Sequence, residues 1–181
     1  MSTRKRKKFT DHPEFTPNLS PQDMFRLGSF GGTYWRPIYS RVTKKHYKNV
    51  HRKLPKSWWK GIPETSLSSI EYDKHKNLYG VKVGSSLATW ENNHWIHSSH
   101  PYGWVQWYCD FYRGNRGADD ERQIKRWLAI AGPKGRFRHN LINQIKKKNS
   151  TWNDVLISPK IRQVLQHWGY QLTKRDFDKV I

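Results

Sequence analysis

Three consecutive acids, Asp119, Asp120 and Glu121, lie in a chain that carries 34 Lys and Arg against 14 Asp and Glu. Clustered carboxylates can hold Mg²⁺ for phosphoryl transfer, and together with Asp110 upstream they would suit a nuclease. The same acids also suit the start of a helix, where carboxylates satisfy free backbone N–H groups and the helix dipole. We favour the helix start, so Asp119, Asp120 and Glu121 are catalytic candidates only under a nuclease alternative that requires Mg²⁺.

Three closely spaced histidines lie shortly before the single cysteine of the chain. His94, His97 and His100 in HWIHSSHP, with Cys109 downstream, offer the imidazole and thiolate groups that bind metals. Their spacing matches no zinc-binding pattern, so we predict no metal site. Cys109 lies in an aromatic stretch, where a thiol is usually buried and inert. The sequence also has no P-loop, GxGxxG turn or GxSxG elbow, and we predict no cofactor.

The charge of the chain indicates its class of partner. The formal net charge is +20 and the pI about 10.2. Residues 1–60 carry 15 basic and 3 acidic groups, residues 61–100 carry 3 and 4, and residues 101–181 carry 16 and 7. Because cations that neutralise phosphates release condensed counterions, we predict that the partner is DNA or RNA, with DNA favoured. Another acidic surface, such as a capsid interior or a partner protein, remains open.

Residues of three basic regions are candidates for this binding. The first region is the arm Arg4–Lys8, and the second is residues 34–60, where aromatic and basic residues alternate as stacking on unpaired bases would require. Those aromatics equally suit a core with solvated basic neighbours. The predicted nucleic-acid-binding residues are Arg4, Lys5, Arg6, Lys7, Lys8, Arg36, Arg41, Lys44, Lys45, Lys48, Arg52, Lys53, Arg136, Asn140, Asn143 and Lys147.

The third region is a predicted pair of helices, 119–131 and 136–148, joined by a Gly-Pro-Lys-Gly turn. This spacing is typical of a helical hairpin or a helix-turn-helix. In the second helix Arg136, Asn140, Asn143 and Lys147 recur at spacings of 4, 3 and 4, so they share one exposed face. That face could read bases or contact phosphates, and it could equally be a solvated basic face.

Hydrophobic periodicity predicts a mainly α fold of the α+β class, with a small β element in the N-terminal half. Residues 1–17 are expected to be a disordered basic arm and residues 18–181 a single globular domain. Gly and aromatic residues after position 28 favour short strands, and NLYGVKVGS favours another strand ending at Gly84. Helices are predicted at 18–28, 54–63, 86–96, 101–113, 119–131, 136–148 and 158–168.

Four segments resemble a family of small basic, Trp-rich proteins of phages, large DNA viruses and some microbial genomes. They are LGSFGGTYWRPIYS, GVKVGSSLATWENNHWI, PYGWVQWYCDFYRGNRGADDERQIKRW and SPKIRQVLQHWGY, and the GWxQWYC and DERQIxRW strings are the most specific. The resemblance covers roughly residues 19–172. It implies a viral or microbial ancestry and brings no catalytic residue.

The sequence therefore favours a non-enzymatic nucleic-acid-binding protein. The alternatives are a metal-dependent nuclease or other nucleic-acid-processing enzyme, and a structural or packaging protein of a virus or nucleoid. One cysteine permits no internal disulfide, and no apolar run reaches the roughly 20 residues that cross a bilayer. We expect a soluble intracellular protein, cytoplasmic or nuclear, with association with a virion as a further option.

Overall fold

A computed structural model describes residues 7–179, and their fold is mainly α-helical with a small antiparallel sheet in the N-terminal half, as predicted. The helices of these residues are α1 Pro21–Leu27, α2 Lys56–Trp59, α3 Leu87–Asn92, α4 Trp104–Tyr112, α5 Asp120–Ile130, α6 Arg136–Lys147, α7 Pro159–His167 and α8 Lys174–Asp178. The strands are β1 Ile38–Ser40 and β2 Lys45–Tyr47. Short 3₁₀ turns occupy Phe30–Gly32, Val50–Lys53, Glu64–Ser66 and Lys74–Lys76.

Helix α4 lies at the centre of the core. Six of its nine residues are buried, because aromatic residues recur at the spacing that covers most of a helix surface. Trp104 stacks on Tyr108 with ring centroids 5.2 Å apart, and Trp107 lies against Phe111 at 4.8 Å. Aromatic pairs in this range contribute about 0.5–1.5 kcal/mol beyond their buried area. The Cys109 thiol is fully buried in this helix, and burial raises its pKa, as expected for an inert thiol.

The N-terminal part of the described chain packs on α4, which corrects the predicted boundary of the disordered arm. Phe9 and Phe15 are buried, and Phe15 makes edge-to-face contacts with Trp104, Phe111 and Trp127. The buried Phe9 and Phe15 side chains and an ion pair between Asp11 and Arg116 at 2.6 Å hold residues 9–17 against the core. The predicted arm therefore overlaps the folded domain, and its residues 1–6 lie outside the described part.

The N-terminal half begins with a capped helix and a hairpin. Ser20 and Asp23 form a capping box at the start of α1, since each side chain bonds the backbone N–H of the other. Strands β1 and β2 pair antiparallel with Tyr39 opposite His46. The side chain of Glu91 in α3 accepts a hydrogen bond from the backbone N–H of Arg41 at 2.9 Å, which joins the hairpin to α3.

The strand predicted near Gly84 does not form, and this prediction is wrong. The backbone N–H groups at the start of that segment donate elsewhere: Leu78 donates to the carbonyl of Gly28, and Tyr79 donates to the side chain of Gln163. Because these backbone N–H groups already donate to a loop carbonyl and to a side chain, they are not available to pair with a neighbouring strand. Residues 81–86 of the described chain are irregular, and Ser86 caps α3.

Helices α5, α6 and α7 pack in sequence order, and the first two form the predicted hairpin. Leu141, Ile142 and Ile145 of α6 are fully buried, as expected, and Phe137 is half-buried. The turn between α5 and α6 is tight, because a Cβ on Gly135 would lie 2.5 Å from the carbonyl oxygen of Ile130. Arg138 pairs with Asp176 of α8 at 3.1 Å, and both side chains are buried.

The buried side of α7 is polar, which the apolar periodicity did not predict. Gln163, Gln166 and His167 are buried beside Leu165, whereas the apolar residues Val164 and Trp168 are half-buried. The side chain of Gln166 donates to the carbonyl of Met24 at 2.8 Å and accepts from the hydroxyl of Ser29 at 2.8 Å. These bonds fasten the loop after α1 to α7.

Among the described residues, no helix is long and apolar enough to cross a membrane.

Candidate functional site: an aromatic groove with basic side chains

Two adjoining pockets form one groove on the surface of the domain, called here the aromatic groove. The larger pocket has a volume of about 560 Å³ and the smaller one about 430 Å³. The pockets share Phe30, Tyr34, Gly84, Ser85 and Trp90, so they are continuous. The loop after α1, helix α3 and one end each of α4, α5, α6 and α7 supply the walls. Pockets of about 300–1,000 Å³ hold small molecules or single groups of a larger ligand.

Aromatic side chains form a large part of the walls of the larger pocket. Trp104 and Trp168 stack with ring centroids 4.8 Å apart, and Trp90, Trp95 and Phe137 line other parts of the pocket. The Trp104 indole donates to the carbonyl of His167 at 3.0 Å. This stack, this hydrogen bond and the core beneath fix the pocket walls. A fixed pocket loses less conformational entropy when it binds a ligand.

His167 fixes one wall of the groove. Its Nε2 accepts a hydrogen bond from the backbone N–H of Phe30 at 2.9 Å, and the two rings stack with centroids 3.9 Å apart. Accepting this bond requires the neutral ring protonated at Nδ1. Burial lowers the pKa of His167 to about 3, so the ring stays neutral at physiological pH.

Arg126 brings a positive charge to this aromatic surface. Its guanidinium carbon lies 5.2 Å from the ring centroid of Trp168 and 5.7 Å from that of Trp95. One nitrogen donates to the side-chain oxygen of Gln123 at 2.9 Å, and Arg126 has no carboxylate partner among the described residues. Burial lowers the pKa of Arg126 to about 10, with the nearby charge of Arg122 contributing, so the group remains a cation at neutral pH.

Three further cations line the groove. Arg136 lies at the start of α6 beside the larger pocket, and its guanidinium carbon is 5.2 Å from the Phe137 ring centroid. Arg36 and Lys82 line the smaller pocket. None of the described residues that line either pocket is acidic. The groove therefore attracts an anion and repels a cationic ligand.

The structure brings two of the predicted nucleic-acid-binding residues, Arg36 and Arg136, to this groove. Arg136 also begins the predicted α6 face, and Asn140, Asn143 and Lys147 are exposed with it. Lys7 donates to the carbonyl of Tyr112, Lys8 is exposed, and Arg4, Lys5 and Arg6 lie outside the described residues. The remaining predicted cations are exposed on or after the hairpin: Arg41, Lys44, Lys45, Lys48, Arg52 and Lys53.

The aromatic residues of segment 34–60 belong mainly to the core. Tyr34, Trp35 and Trp58 are buried, and Tyr47 and Trp59 are partly buried against the same cluster. Of the aromatics in this segment, Tyr39 is the exposed one, at 47%. These rings are therefore mostly covered by the core, so the segment does not offer the row of exposed aromatic faces that base stacking would require.

The acids at the start of α5 are already bonded to protein donors. Burial alone would raise the pKa of Asp119, but its hydrogen bonds and ion pair with Arg122 outweigh burial and lower it. Both Asp119 oxygens bond Arg122, at 2.5 and 2.9 Å. Asp120 accepts from the indole of Trp107 at 2.8 Å and from the backbone N–H of Gly117 at 2.9 Å.

These contacts make the predicted helix-start acids structural. Asp120 and Glu121 lie in the first turn of α5, where the helix dipole favours them, and Glu121 is exposed. Asp119 occupies the N-cap position but forms no side-chain capping bond, because its carboxylate turns to Arg122. The carboxylates of Asp119 and Asp120 do not fit Mg²⁺, since the ion would have to displace these donors.

One group of possible metal ligands comes together near α5. Ligand atoms of His97, His100 and Asp119 lie within 4.8 Å of one another. The Arg122 guanidinium occupies the Asp119 carboxylate, and His100 Nε2 lies 3.2 Å from the carboxylate of Asp110. We assign no metal to this cluster, because a cation there would compete with Arg122. His94 is exposed and lies outside the cluster.

Sequence reasoning missed most residues of the groove, including Lys82, Trp90, Trp95, Arg126 and Trp168. An apolar residue that lines a pocket has the same periodicity as one that lines a core, so spacing alone does not separate them. The sequence did contain one indication of the groove, because the chain has many Trp residues outside the predicted central helix.

No protein-family model, no curated protein and no solved structure matches this chain.

Proposed function

We propose that this protein binds nucleic acid without catalysis, with the strand held across the aromatic groove and the exposed face of α6. The single observation that carries the proposal is that the groove combines aromatic walls with Arg36, Lys82, Arg126 and Arg136 and no acidic lining residue among those described. Cations neutralise phosphates and aromatic faces stack on bases, which are the two requirements of nucleic-acid binding.

Arg136 supports the connection between the two surfaces. It lines the larger pocket and is also the first residue of the α6 face that continues through Asn140, Asn143 and Lys147. A strand that contacts this face would therefore lead into the groove. The net charge of +20 adds a long-range attraction for any polyanion and favours fast, salt-dependent association. DNA is the favoured partner, and RNA offers the same phosphates.

The salt dependence of binding tests this function. We expect the affinity for a single-stranded oligonucleotide to fall steeply with salt, and the double variant Arg136→Gln/Lys82→Gln to reduce the slope of log K against log salt. Each lost phosphate contact reduces this slope by about 0.7 on a single strand. Fluorescence anisotropy of a labelled strand over a salt series measures both quantities.

The matched control removes two charges away from the groove. Lys74 and Lys160 are exposed and line neither pocket. The double variant Lys74→Gln/Lys160→Gln has the same net charge as the test variant, so it separates local contacts from general attraction. Equal slopes for the two variants, or no binding by the wild type at physiological salt, would refute the proposed function.

A further inference from the structure

The larger pocket of the aromatic groove has the chemistry of a site for one planar ring attached to an anion. Its volume of about 560 Å³ accommodates a single nucleotide, within the range of small-ligand sites. Trp90, Trp95 and Phe137 line the pocket with partly or fully exposed rings, and base–aromatic stacking accepts every base because each has a π face. This inference rests on the proposed function and specifies the ligand of the same groove.

Charge narrows the choice of ligand. Aromatic pockets also bind methylated ammonium groups, but such cages need an electron-rich surface without competing cations. Here Arg126 lies over the faces of Trp95 and Trp168, and Arg136 lies beside Phe137. Two guanidinium groups at the pocket exclude a cationic ligand and suit a phosphate.

Arg126 has no acidic partner among the described residues, unlike two other arginines of α5 and α6. Arg122 is paired with Asp119, and Arg138 is paired with Asp176. Among the described residues Arg126 has hydrogen bonds to the uncharged Gln123 side chain and the Trp95 carbonyl. A partly buried guanidinium without a counter-ion is costly unless a ligand supplies the negative charge.

We propose that this pocket receives one unpaired base of a nucleic-acid strand, stacked on its aromatic walls, with the adjoining phosphate at Arg126 and Arg136. A base inside a paired duplex is already stacked and is out of reach, so the pocket selects strands with an unpaired nucleotide. A free nucleotide has the same base and phosphate, so the experiment below compares binding of a free nucleotide with binding of a strand.

A blocked pocket provides the test. Ala129 of α5 is exposed and lines the pocket, so Ala129→Trp fills the pocket without removing a core contact. Ala118 is exposed outside the pocket, and Ala118→Trp is the matched control. The ligands are a short duplex with one unpaired adenine, the fully paired duplex of the same length, and free adenosine monophosphate. Anisotropy measures the duplexes, and quenching of Trp fluorescence measures the mononucleotide.

The wild type and Ala118→Trp are expected to bind the unpaired duplex about tenfold more tightly than the paired one, because stacking one base is worth about that factor. Ala129→Trp should bind both duplexes equally while retaining the salt-dependent binding of the paired duplex. If the wild type binds the two duplexes with equal affinity, or if Ala129→Trp keeps the preference for the unpaired duplex, the inference is wrong.

If the protein still binds the paired duplex in either of these outcomes, the proposed function stands although the inference fails. Tight binding of free adenosine monophosphate without a preference between the duplexes would assign the pocket to free nucleotides and overturn the assignment to a strand.

Discussion

Arginine side chains on α5 and α6 serve two different purposes, which their partners reveal. Arg138 and Arg122 are held by carboxylates of Asp176 and Asp119 and act as internal cross-links. Arg126 lies between aromatic faces with uncharged partners. The i,i+3 spacing of Asp119 and Arg122 is visible in the sequence, but whether Arg126 and Arg138 have acidic partners depends on which helices meet, so the sequence could not separate those two arginines.

His167 makes the stability of the protein sensitive to acid. Its pKa is lowered to about 3 by burial from an ordinary value of 6.5, so only the unfolded chain takes up this proton as the pH falls below 6.5. The free energy of unfolding should therefore fall by about 1 kcal/mol between pH 7 and pH 5.5 because of this group alone. Denaturant unfolding at the two pH values measures the change.

The variant His167→Gln should lose that part of the pH dependence, because an amide does not titrate. It should also have a lower stability at pH 7, since the ring stacks on Phe30 and accepts its backbone N–H. His94→Gln, at an exposed position, is the control and should keep the pH dependence of the wild type. An unchanged pH dependence in His167→Gln would show that the buried ring does not exclude the proton.

Helices α4, α5 and α6 could be placed from periodicity because their apolar sides face the core. Ile124 and Trp127 of α5 and Leu141 and Ile142 of α6 are buried where the spacing predicts. Helix α7 follows a different rule, since Gln163 and Gln166 face inward and Trp168 faces the groove. Periodicity correctly identifies the apolar and polar sides of a helix. A prediction from periodicity also assumes that the apolar side is the one buried in the core.

The turn between α5 and α6 depends on a glycine at position 135. A Cβ there would lie 2.5 Å from both the carbonyl carbon and the oxygen of Ile130, and backbone atoms cannot move aside as a side-chain end can. We expect Gly135→Ala to lower the free energy of unfolding by about 1–3 kcal/mol, the usual cost of overpacking. Thermal and denaturant unfolding measure this loss.

Gly117, just before α5, provides the matched substitution. A Cβ at this position would meet no atom within 4 Å, so Gly117→Ala should be neutral or stabilising by up to about 1 kcal/mol through the unfolded state. Equal effects of the two substitutions would mean that the α5–α6 turn has room to adjust.

At the scale of the whole molecule, the groove is assembled from segments that are far apart in the chain. Phe30, Trp90, Arg126, Arg136 and Trp168 meet because the loop after α1 is fastened to α7 and because α5, α6 and α7 pack in order. The class of partner was predicted from the composition of the chain, and this prediction does not depend on the fold. The place where that partner would bind required the tertiary contacts, and no local pattern encodes them.

The charge of the whole molecule opposes its own folding. With 34 basic and 14 acidic residues, repulsion between cations exceeds attraction in ion pairs, so moderate salt should raise the free energy of unfolding by screening. The triple variant Lys44→Gln/Lys45→Gln/Lys48→Gln removes three exposed charges near the hairpin and should be more stable at low salt and less sensitive to added salt. Denaturant unfolding over a salt series compares the two proteins, and a wild type that salt destabilises would contradict this account.

The bonds between the loop after α1 and α7 leave the protein room to change at these positions over generations. The Ser29 hydroxyl lies within hydrogen-bond distance of the Gln166 side-chain oxygen and of the Met24 carbonyl, and the Gln166 amide donates to the same carbonyl. Each of these acceptors has a further donor, since Gln163 donates to the Gln166 oxygen and the backbone N–H of Gly28 donates to the Met24 carbonyl. The loss of the Ser29 hydroxyl alone therefore leaves neither acceptor unpaired, so position 29 can change without a simultaneous change at position 166.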